Sequence, residues 1–168
     1  MLALLSGGDR RSIGQSDRVR AMIDDDPALV HDLAALTRDA DPLVSLRALD
    51  LLEKLAHDDP ALVEPHKSVF IGPLAESDAW EIRLQVVRAL PLFRWTPAQM
   101  KRVERILADN VAHPQLFVRA WALDSLATLA RRRARLAPMV ERGLRDFERS
   151  SSKALHARAR AIRARMAE

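Results

Sequence analysis

An arginine returns at an interval of 36 residues inside the same local pattern. Arg47, Arg83 and Arg119 each follow an aliphatic residue, and each has another aliphatic residue four positions later. The hexapeptide Asp-Asp-Pro-Ala-Leu-Val also occurs twice, at 25–30 and at 58–63. A period of this length is typical of a supersecondary unit that buries its apolar face only against a neighbouring copy. The sequence therefore predicts a stack of helical hairpins with an extended binding surface.

Helix start signals recur along the chain. Four side chains that can cap a helix stand directly before a proline: Asp26, Asp41, Asp59 and Thr96. This pair of residues is a strong start signal, because proline at the first helical position lacks an N–H that would otherwise need a partner. Asp78 with Glu81, and Thr96 with Gln99, also have the spacing of a capping box. Helices are expected to begin at these positions.

Apolar residues between these signals recur at intervals of three and four, as in amphipathic helices, and no segment alternates like a strand. The sequence thus predicts an all-α protein. The expected elements are a short helix at 16–23 and hairpins of 27–38 with 42–56, 60–75 with 78–90, 97–110 with 114–130, and 137–149 with 153–166. We expect prolines to break the helix at 60–75. The predicted organisation is one domain, with a cap segment and short helix over 1–24 and a repeat solenoid over 25–168.

Composition narrows the possible chemistry. The chain has no cysteine, which excludes disulfides, thiolate metal sites and cysteine nucleophiles. Its five histidines are scattered, and its acids cluster at predicted helix starts, where capping accounts for them. We therefore expect no catalytic residue, no metal site and no cofactor. No run approaches the roughly 20 apolar residues that span a bilayer, and residues 1–5 are too few for a signal peptide. The sequence predicts a soluble cytoplasmic protein with no membrane partner.

Charge is divided unevenly along the chain. Residues 1–84 carry nine Lys and Arg against 16 Asp and Glu, whereas residues 85–168 carry 18 against seven. Such polarity favours an acidic partner for the basic half, or contact between the two halves of different molecules. A charged surface that only keeps the protein in solution is the alternative. The oligomeric state stays open.

One stretch of the chain resembles the HEAT repeat. It lies at 41–49, reads Asp-Pro-Leu-Val-Ser-Leu-Arg-Ala-Leu, and is echoed at 78–87 and 113–123. In that family an Asp-Pro turn leads into a Val-Arg dipeptide and an Ala/Leu-rich second helix. The resemblance covers about residues 25–166 and implies a short right-handed α-solenoid of about four hairpins. The acid six residues before the arginine survives only as Asp41, so the family's Asp–Arg ladder is expected in the first repeat alone. Residues 5–14 are also similar to the start of a group of small bacterial HEAT-repeat proteins.

The resemblance further implies that the second helix of each hairpin lines a concave binding face. With Arg158 taken as the arginine of the last copy, the positions one before and four after each arginine are apolar and are predicted to face the core. A second stripe is formed by the residues two positions before, two positions after and five positions after each arginine. This stripe is predicted to line the concave face. In the first copy this stripe is Ser45, Leu49 and Leu52. The predicted partner-binding residues are those of the other copies: Glu81, Gln85, Arg88, Phe117, Trp121, Asp124, His156, Arg160 and Arg163.

Protein binding is the function that this reasoning favours. Trp121, with Phe117 behind it, is a candidate anchor for a partner's side chain or a platform for a base, although packing between repeats is the alternative. Asp124 shares its helix face. Alkylpurine DNA glycosylases, a HEAT-like family, place tryptophans and an essential aspartate on the concave face. Glycosylase activity is therefore an alternative that rests on analogy of fold alone.

Two segments are candidate anion sites. Residues 131–168 carry 12 Lys and Arg against four acids, and they begin with Arg131, Arg132 and Arg133. Such a cluster would bind phosphates in a salt-sensitive manner, which makes nucleic acid the alternative partner. Solvated helix ends explain the same residues without a ligand.

The other candidate lies in the glycine-rich opening segment. Glycines at 7, 8 and 14 allow a left-handed backbone, and Asp9, Arg10, Arg11 and Ser12 are possible ligands of a phosphate or carboxylate. An N-terminal cap, with Arg10 or Arg11 paired to nearby acids, is the competing interpretation. An enzyme that uses Asp9 or Asp124 is a third functional class.

Overall fold

Every regular element in a computed structural model of the chain, which describes residues 1–9 and 12–167, is helical. The all-α prediction is therefore confirmed. Arg10, Arg11 and Glu168 lie outside the described residues. The chain divides into two units, an N-terminal unit of Met1–Arg94 and a C-terminal unit of Trp95–Glu168. Each unit holds two of the predicted hairpins.

The N-terminal unit begins with α1 (Leu2–Leu5) and α2 (Ser16–Asp25). Its first hairpin joins a 3₁₀ turn at Pro27–Leu29 and α3 (Val30–Leu36) to α4 (Pro42–Asp58). The second joins α5 (Pro60–Val63) and two 3₁₀ segments, Glu64–Ile71 and Pro73–Glu76, to α6 (Trp80–Ala89) and a 3₁₀ turn at Leu90–Leu92. The break expected in the helix at 60–75 is thus confirmed, whereas α1 was not predicted.

The C-terminal unit contains α7 (Pro97–Val111) paired with α8 (Leu116–Ala130). A 3₁₀ turn at Ala134–Leu136 then leads into α9 (Ala137–Arg149), which pairs with α10 (Lys153–Ala167). Gly143 lets α9 approach α8 closely, because a Cβ there would lie 2.5 Å from Cδ1 of the buried Leu123. Both hairpins match the predicted ranges to within two residues.

The predicted capping is confirmed at four helix starts. Side-chain oxygens of Asp26, Asp41 and Asp59 accept from backbone N–H groups one residue past the following proline, and Thr96 forms the capping box with Gln99. The predicted box at Asp78 is wrong. Helix α6 has Ala79 as its N-cap, with no side-chain cap, so it begins one residue later than the Asp-based signal indicates.

Helix starts give a better register for the repeat than the arginines do. The fourth residue of each second helix donates to a backbone carbonyl six or eight residues earlier in the preceding turn or helix end. Ser45 donates to the Thr37 carbonyl, Arg83 to Ser77 and Arg119 to Val111, and a ring nitrogen of His156 contacts the Ser150 carbonyl. The equivalent residues therefore recur at intervals of 38, 36 and 37.

The 36-residue period consequently mixes two positions. Arg83 and Arg119 are fourth residues of their helices, whereas Arg47 and Arg158 are sixth residues. Two residues correspond to a rotation of about 200° around an α-helix. For this reason, Leu46 is only half-buried and Ala157 is exposed, although both were predicted to face the core.

The core of each repeat follows the corrected register. The third and seventh residues of the second helices are buried aliphatic side chains: Val44, Ile82, Val118 and Leu155, with Ala48, Val86, Ala122 and Ala159. Ser45, Leu49 and Leu52 are also buried, so the first copy of the predicted concave stripe lies in the core and not on a surface.

Arg47 anchors the N-terminal segment to α4. It is only 4% exposed, and its guanidinium donates to four backbone carbonyls. Nε donates to Ser12 at 3.0 Å, Nη1 to Leu5 and Gly7 at 2.6 Å each, and Nη2 to Asp9 at 2.9 Å. The loop bends around the guanidinium with positive φ at its glycines, a conformation that side chains with a Cβ rarely adopt.

We predict that Arg47→Met destabilises the fold by about 3 kcal/mol, because four carbonyls lose the hydrogen bonds of a buried charged donor. Urea denaturation would measure the loss, and hydrogen exchange should show residues 1–16 unprotected. The control is Arg142→Met, which alters an exposed arginine on α9 and should change the free energy of unfolding by less than about 0.5 kcal/mol. Equal effects of the two substitutions would contradict the anchoring role.

Candidate binding face of the second helices

The second, sixth and ninth residues of each second helix lie on one side of that helix, away from the buried third and seventh residues. We call this side the second-helix face of each unit. In the N-terminal unit it is formed by Leu43, Arg47 and Asp50 of α4, and by Glu81, Gln85 and Arg88 of α6. In the C-terminal unit it is formed by Phe117, Trp121 and Asp124 of α8, and by Ala154, Arg158 and Ala161 of α10.

The predicted partner-binding stripe coincides with this face in its two middle copies only. In α10 the predicted residues are the fourth, eighth and eleventh: His156, Arg160 and Arg163. Arg160 is exposed, but Arg163 pairs with Glu141 and Glu148 of α9, within its own hairpin. The last copy of the stripe was therefore assigned two residues out of register.

A polar link joins neighbouring second helices within each unit. Gln85 Nε2 of α6 donates to Asp50 Oδ1 of α4 at 3.0 Å. In the other unit, Arg158 Nη1 of α10 donates to Asp124 Oδ2 of α8 at 2.7 Å. In both cases a sixth residue binds the ninth residue of the preceding second helix. This ladder differs in register from the turn-acid ladder that the family resemblance implies.

Trp121 and Asp124 are held by this link. The Arg158 guanidinium lies 4.1 Å from the centre of the Trp121 ring, a cation–π arrangement. Asp124 is 3% exposed and also pairs with Arg165. Trp121 is half-buried. Both residues therefore contribute to packing between repeats, the alternative that the sequence left open for Trp121.

Phe117 is the most exposed of the large apolar side chains in the described chain, at 63%. It is the second residue of α8, and Leu116 beside it is 41% exposed. Neither is required by the core. Together they place an apolar patch at the N-terminal end of α8.

The opening segment uses its polar groups internally. The Asp9 carboxylate accepts from the Ser12 N–H and the Ser12 hydroxyl accepts from the Gly14 N–H, both at 3.1 Å. The carbonyls of both Asp9 and Ser12 accept from Arg47. This arrangement is that of an N-terminal cap held by Arg47, a residue that sequence reasoning assigned to the repeat instead. The predicted roles of Arg10 and Arg11 fall outside the described residues.

Arg131, Arg132 and Arg133 follow the end of α8, and their side chains form no hydrogen bond or ion pair with the described residues. Arg135, by contrast, pairs with Glu104 at 2.6 Å. No group of three or more histidines and acids within the described ranges is arranged to hold a metal ion. None of the helices in that part of the chain has the length and apolar character needed to span a bilayer.

A buried carboxylate connects α4 to α6 in the N-terminal unit. Glu53 is fully buried, and its Oε1 lies 3.0 Å from Arg88 Nε and 2.8 Å from His57 Nε2. Burial raises the pKa of Glu53 to about 7, against the opposing effect of Arg88. Burial, together with the Arg88 charge, lowers the pKa of His57. The cluster is therefore sensitive to pH between the ordinary pKa of a glutamate and neutrality.

We predict that Glu53→Gln removes part of the pH dependence of stability. Because the folded pKa of about 7 exceeds the ordinary 4.5, the folded state holds the proton more tightly than the unfolded chain does. The stabilisation is complete below pH 4.5 and is lost as the pH rises through 7, a change of about 3 kcal/mol. Urea denaturation at pH 4.5, 6 and 8 should show that the free energy of unfolding of the variant increases relative to that of wild type as the pH rises. The control is Asp32→Asn, at an exposed acid; its free energy of unfolding should change with pH in parallel with that of wild type. If the curve of Glu53→Gln were also parallel to wild type, the raised pKa of Glu53 would be contradicted.

Two designed armadillo repeat proteins have structures similar to this chain. One, in complex with the peptide (KR)4, has a TM-score of 0.66 at 14% sequence identity, covering 97% of this chain and 79% of that one. The other has a TM-score of 0.64 at 16% identity, covering 96% of this chain and 78% of that one. The fold is therefore that of a helical-repeat solenoid of the armadillo-like type. No family model matches the chain, and no curated protein matches it.

Proposed function

We propose that the chain is a non-enzymatic binding module that holds a segment of another protein on its second-helix face. The observation that carries this proposal is the apolar patch of Phe117 and Leu116. Large aromatic side chains left exposed outside the core are typical of interaction sites, since aromatic residues are enriched among the anchors of interfaces. The similar designed protein in complex with a peptide supports the same use of the fold.

The residues beside the patch are suited to support a bound segment. Asp124 fixes Arg158, and Arg158 in turn covers the Trp121 ring, so the floor next to Phe117 is ordered before any partner arrives. A surface ordered in advance loses less conformational entropy when it binds. We infer that Trp121 supports the bound segment from below and is not itself the anchor. Among solenoids, we assign the chain to the HEAT-repeat group on the pattern at 41–49 and its echoes.

We predict that Phe117→Ala weakens binding of a selected peptide more than tenfold, as expected for the removal of a central aromatic anchor. Peptides would be selected by phage display on the wild-type chain, and affinity measured by fluorescence anisotropy. Met166→Ala, which shortens another exposed apolar side chain in the same unit, should leave the affinity within about twofold. Thermal denaturation should be unchanged in both variants because neither side chain is in the core. An unchanged affinity in Phe117→Ala would remove the basis of the proposal.

Nucleic-acid binding is a second candidate, favoured by the three arginines after α8. Their side chains form no ion pair with any described residue, whereas Arg135, Arg158 and Arg163 of the same unit are paired. Cations that are not engaged within the protein are available to phosphates without the loss of an existing contact.

If this candidate is correct, single-stranded RNA should bind with an affinity that falls as salt rises. The triple variant Arg131→Ala/Arg132→Ala/Arg133→Ala should reduce the slope of log affinity against log salt by about 2. Arg142→Ala/Arg149→Ala/Lys153→Ala removes the same charge at exposed positions elsewhere and should retain most of the slope. Equal slopes for the two triple variants, or no RNA binding at low salt, would reject this function.

A further inference from the structure

A cleft of 180 Å³ opens between α4, α6 and the N-terminal segment. Ile13, Leu43 and Leu46 give it apolar walls, and Asp50, Glu81 and Gln85 contribute its acceptors. Ile13 is 49% exposed, so its side chain is accessible at the edge of the cleft. The cleft thus combines an apolar channel with oxygen acceptors on the second-helix face of the N-terminal unit.

One acceptor beside this cleft has no donor. Gln85 is 8% exposed, and its Oε1 is buried without a hydrogen bond. The amide cannot relieve this by exchanging its two ends, because Nε2 is needed as the donor to Asp50 Oδ1. A buried acceptor left without a donor is destabilising. A donor seated beside Gln85 would supply the absent hydrogen bond after a small adjustment of the side chain.

The two cations that border the cleft are already engaged. Arg47 uses four of its N–H groups on backbone carbonyls. Lys54 Nζ pairs with Asp50 Oδ2 at 2.7 Å, and its side chain is 49% exposed at the rim. Lys54 therefore shows that a primary ammonium is accepted at Asp50, and it would compete with any incoming cation for the same carboxylate.

We propose that this cleft binds a lysine or arginine side chain of the partner segment. The methylene stem would lie on the apolar walls, as long basic side chains do elsewhere, and the cationic end would donate toward Glu81, Asp50 and Gln85. This inference rests on the proposed function, since it names the side chain that the bound segment presents to the N-terminal unit. It uses positions two, six and nine of neighbouring second helices, the positions that define the second-helix face.

The test uses the full chain and a fluorescein-labelled octapeptide of alternating lysine and arginine. A second octapeptide carries norleucine and citrulline at the same positions, which keeps the stems and removes the charge. We expect anisotropy to show binding of the first peptide and at least fivefold weaker binding of the second. Amide signals of Ile13 and the Gln85 side chain should shift in ¹H–¹⁵N spectra on titration with the basic peptide.

Two variants should change the affinity in opposite directions. Glu81→Gln removes a negative charge from the cleft and should weaken binding about fivefold, whereas Lys54→Met removes the competing cation and should strengthen it about threefold. Asp78→Asn removes the same charge three residues from Glu81, at an exposed position outside the cleft, and should leave the affinity within about 1.5-fold. A gain in affinity on removing Lys54 is not expected from loss of structure.

The outcomes separate this inference from the proposed function. If the basic peptide binds but Glu81→Gln and Asp78→Asn weaken it equally, or Lys54→Met has no effect, the cleft is not the site, although peptide binding stands. If the wild-type chain binds no basic peptide, or binds the uncharged one as tightly, the cleft inference is overturned. The proposed function is then judged on the display-selected peptides and Phe117→Ala alone.

Discussion

Within each unit, the pairing of the two second helices depends on one polar link, from the sixth residue of the later helix to the ninth residue of the earlier one. Burial of aliphatic side chains drives the stacking but has no direction, so it does not by itself fix the rotation of one helix against the next. A hydrogen bond at a set position does. Gln85 with Asp50 provides it in the N-terminal unit, and Arg158 with Asp124 provides it in the C-terminal unit.

The sixth position of α4 is satisfied in a different way. Helix α4 has no earlier second helix to supply an acceptor, and the sixth-position Arg47 instead binds four carbonyls of the N-terminal segment. A buried guanidinium needs such partners, because an unpaired buried charge is strongly destabilising. At the other end, the ninth residue of α10 is Ala161, which offers no side-chain acceptor. The cap segment therefore supplies the acceptors that Asp50 and Asp124 supply to the other sixth-position side chains.

Local signals in the sequence predicted the helices, but they did not predict the contacts between repeats. Asp41 and Thr96 mark helix starts through chemistry confined to a few neighbouring residues, and both predictions are correct. The arginine period misled because Arg47 and Arg83 happen to be 36 residues apart while occupying different helix positions. Alignment on the true helix starts gives the correct register, but the predicted starts at 78 and 114 each lie two residues before the observed starts of α6 and α8. The hold of Arg47 on the opening loop spans 35 to 42 residues, a distance at which a single sequence gives no pairing information.

The ladder also divides the second-helix face into structural and available positions. Sixth and ninth residues such as Arg158 and Asp124 are committed to neighbouring helices, so exchanging them would alter the stacking before it altered binding. The second position takes no part in this ladder, and its residue changes from Leu43 to Glu81, Phe117 and Ala154 along the chain. Variation outside the ladder suits a binding surface, because affinity for a partner can then change without breaking the link between second helices. Specificity in this chain should therefore be encoded chiefly at the second position of each second helix.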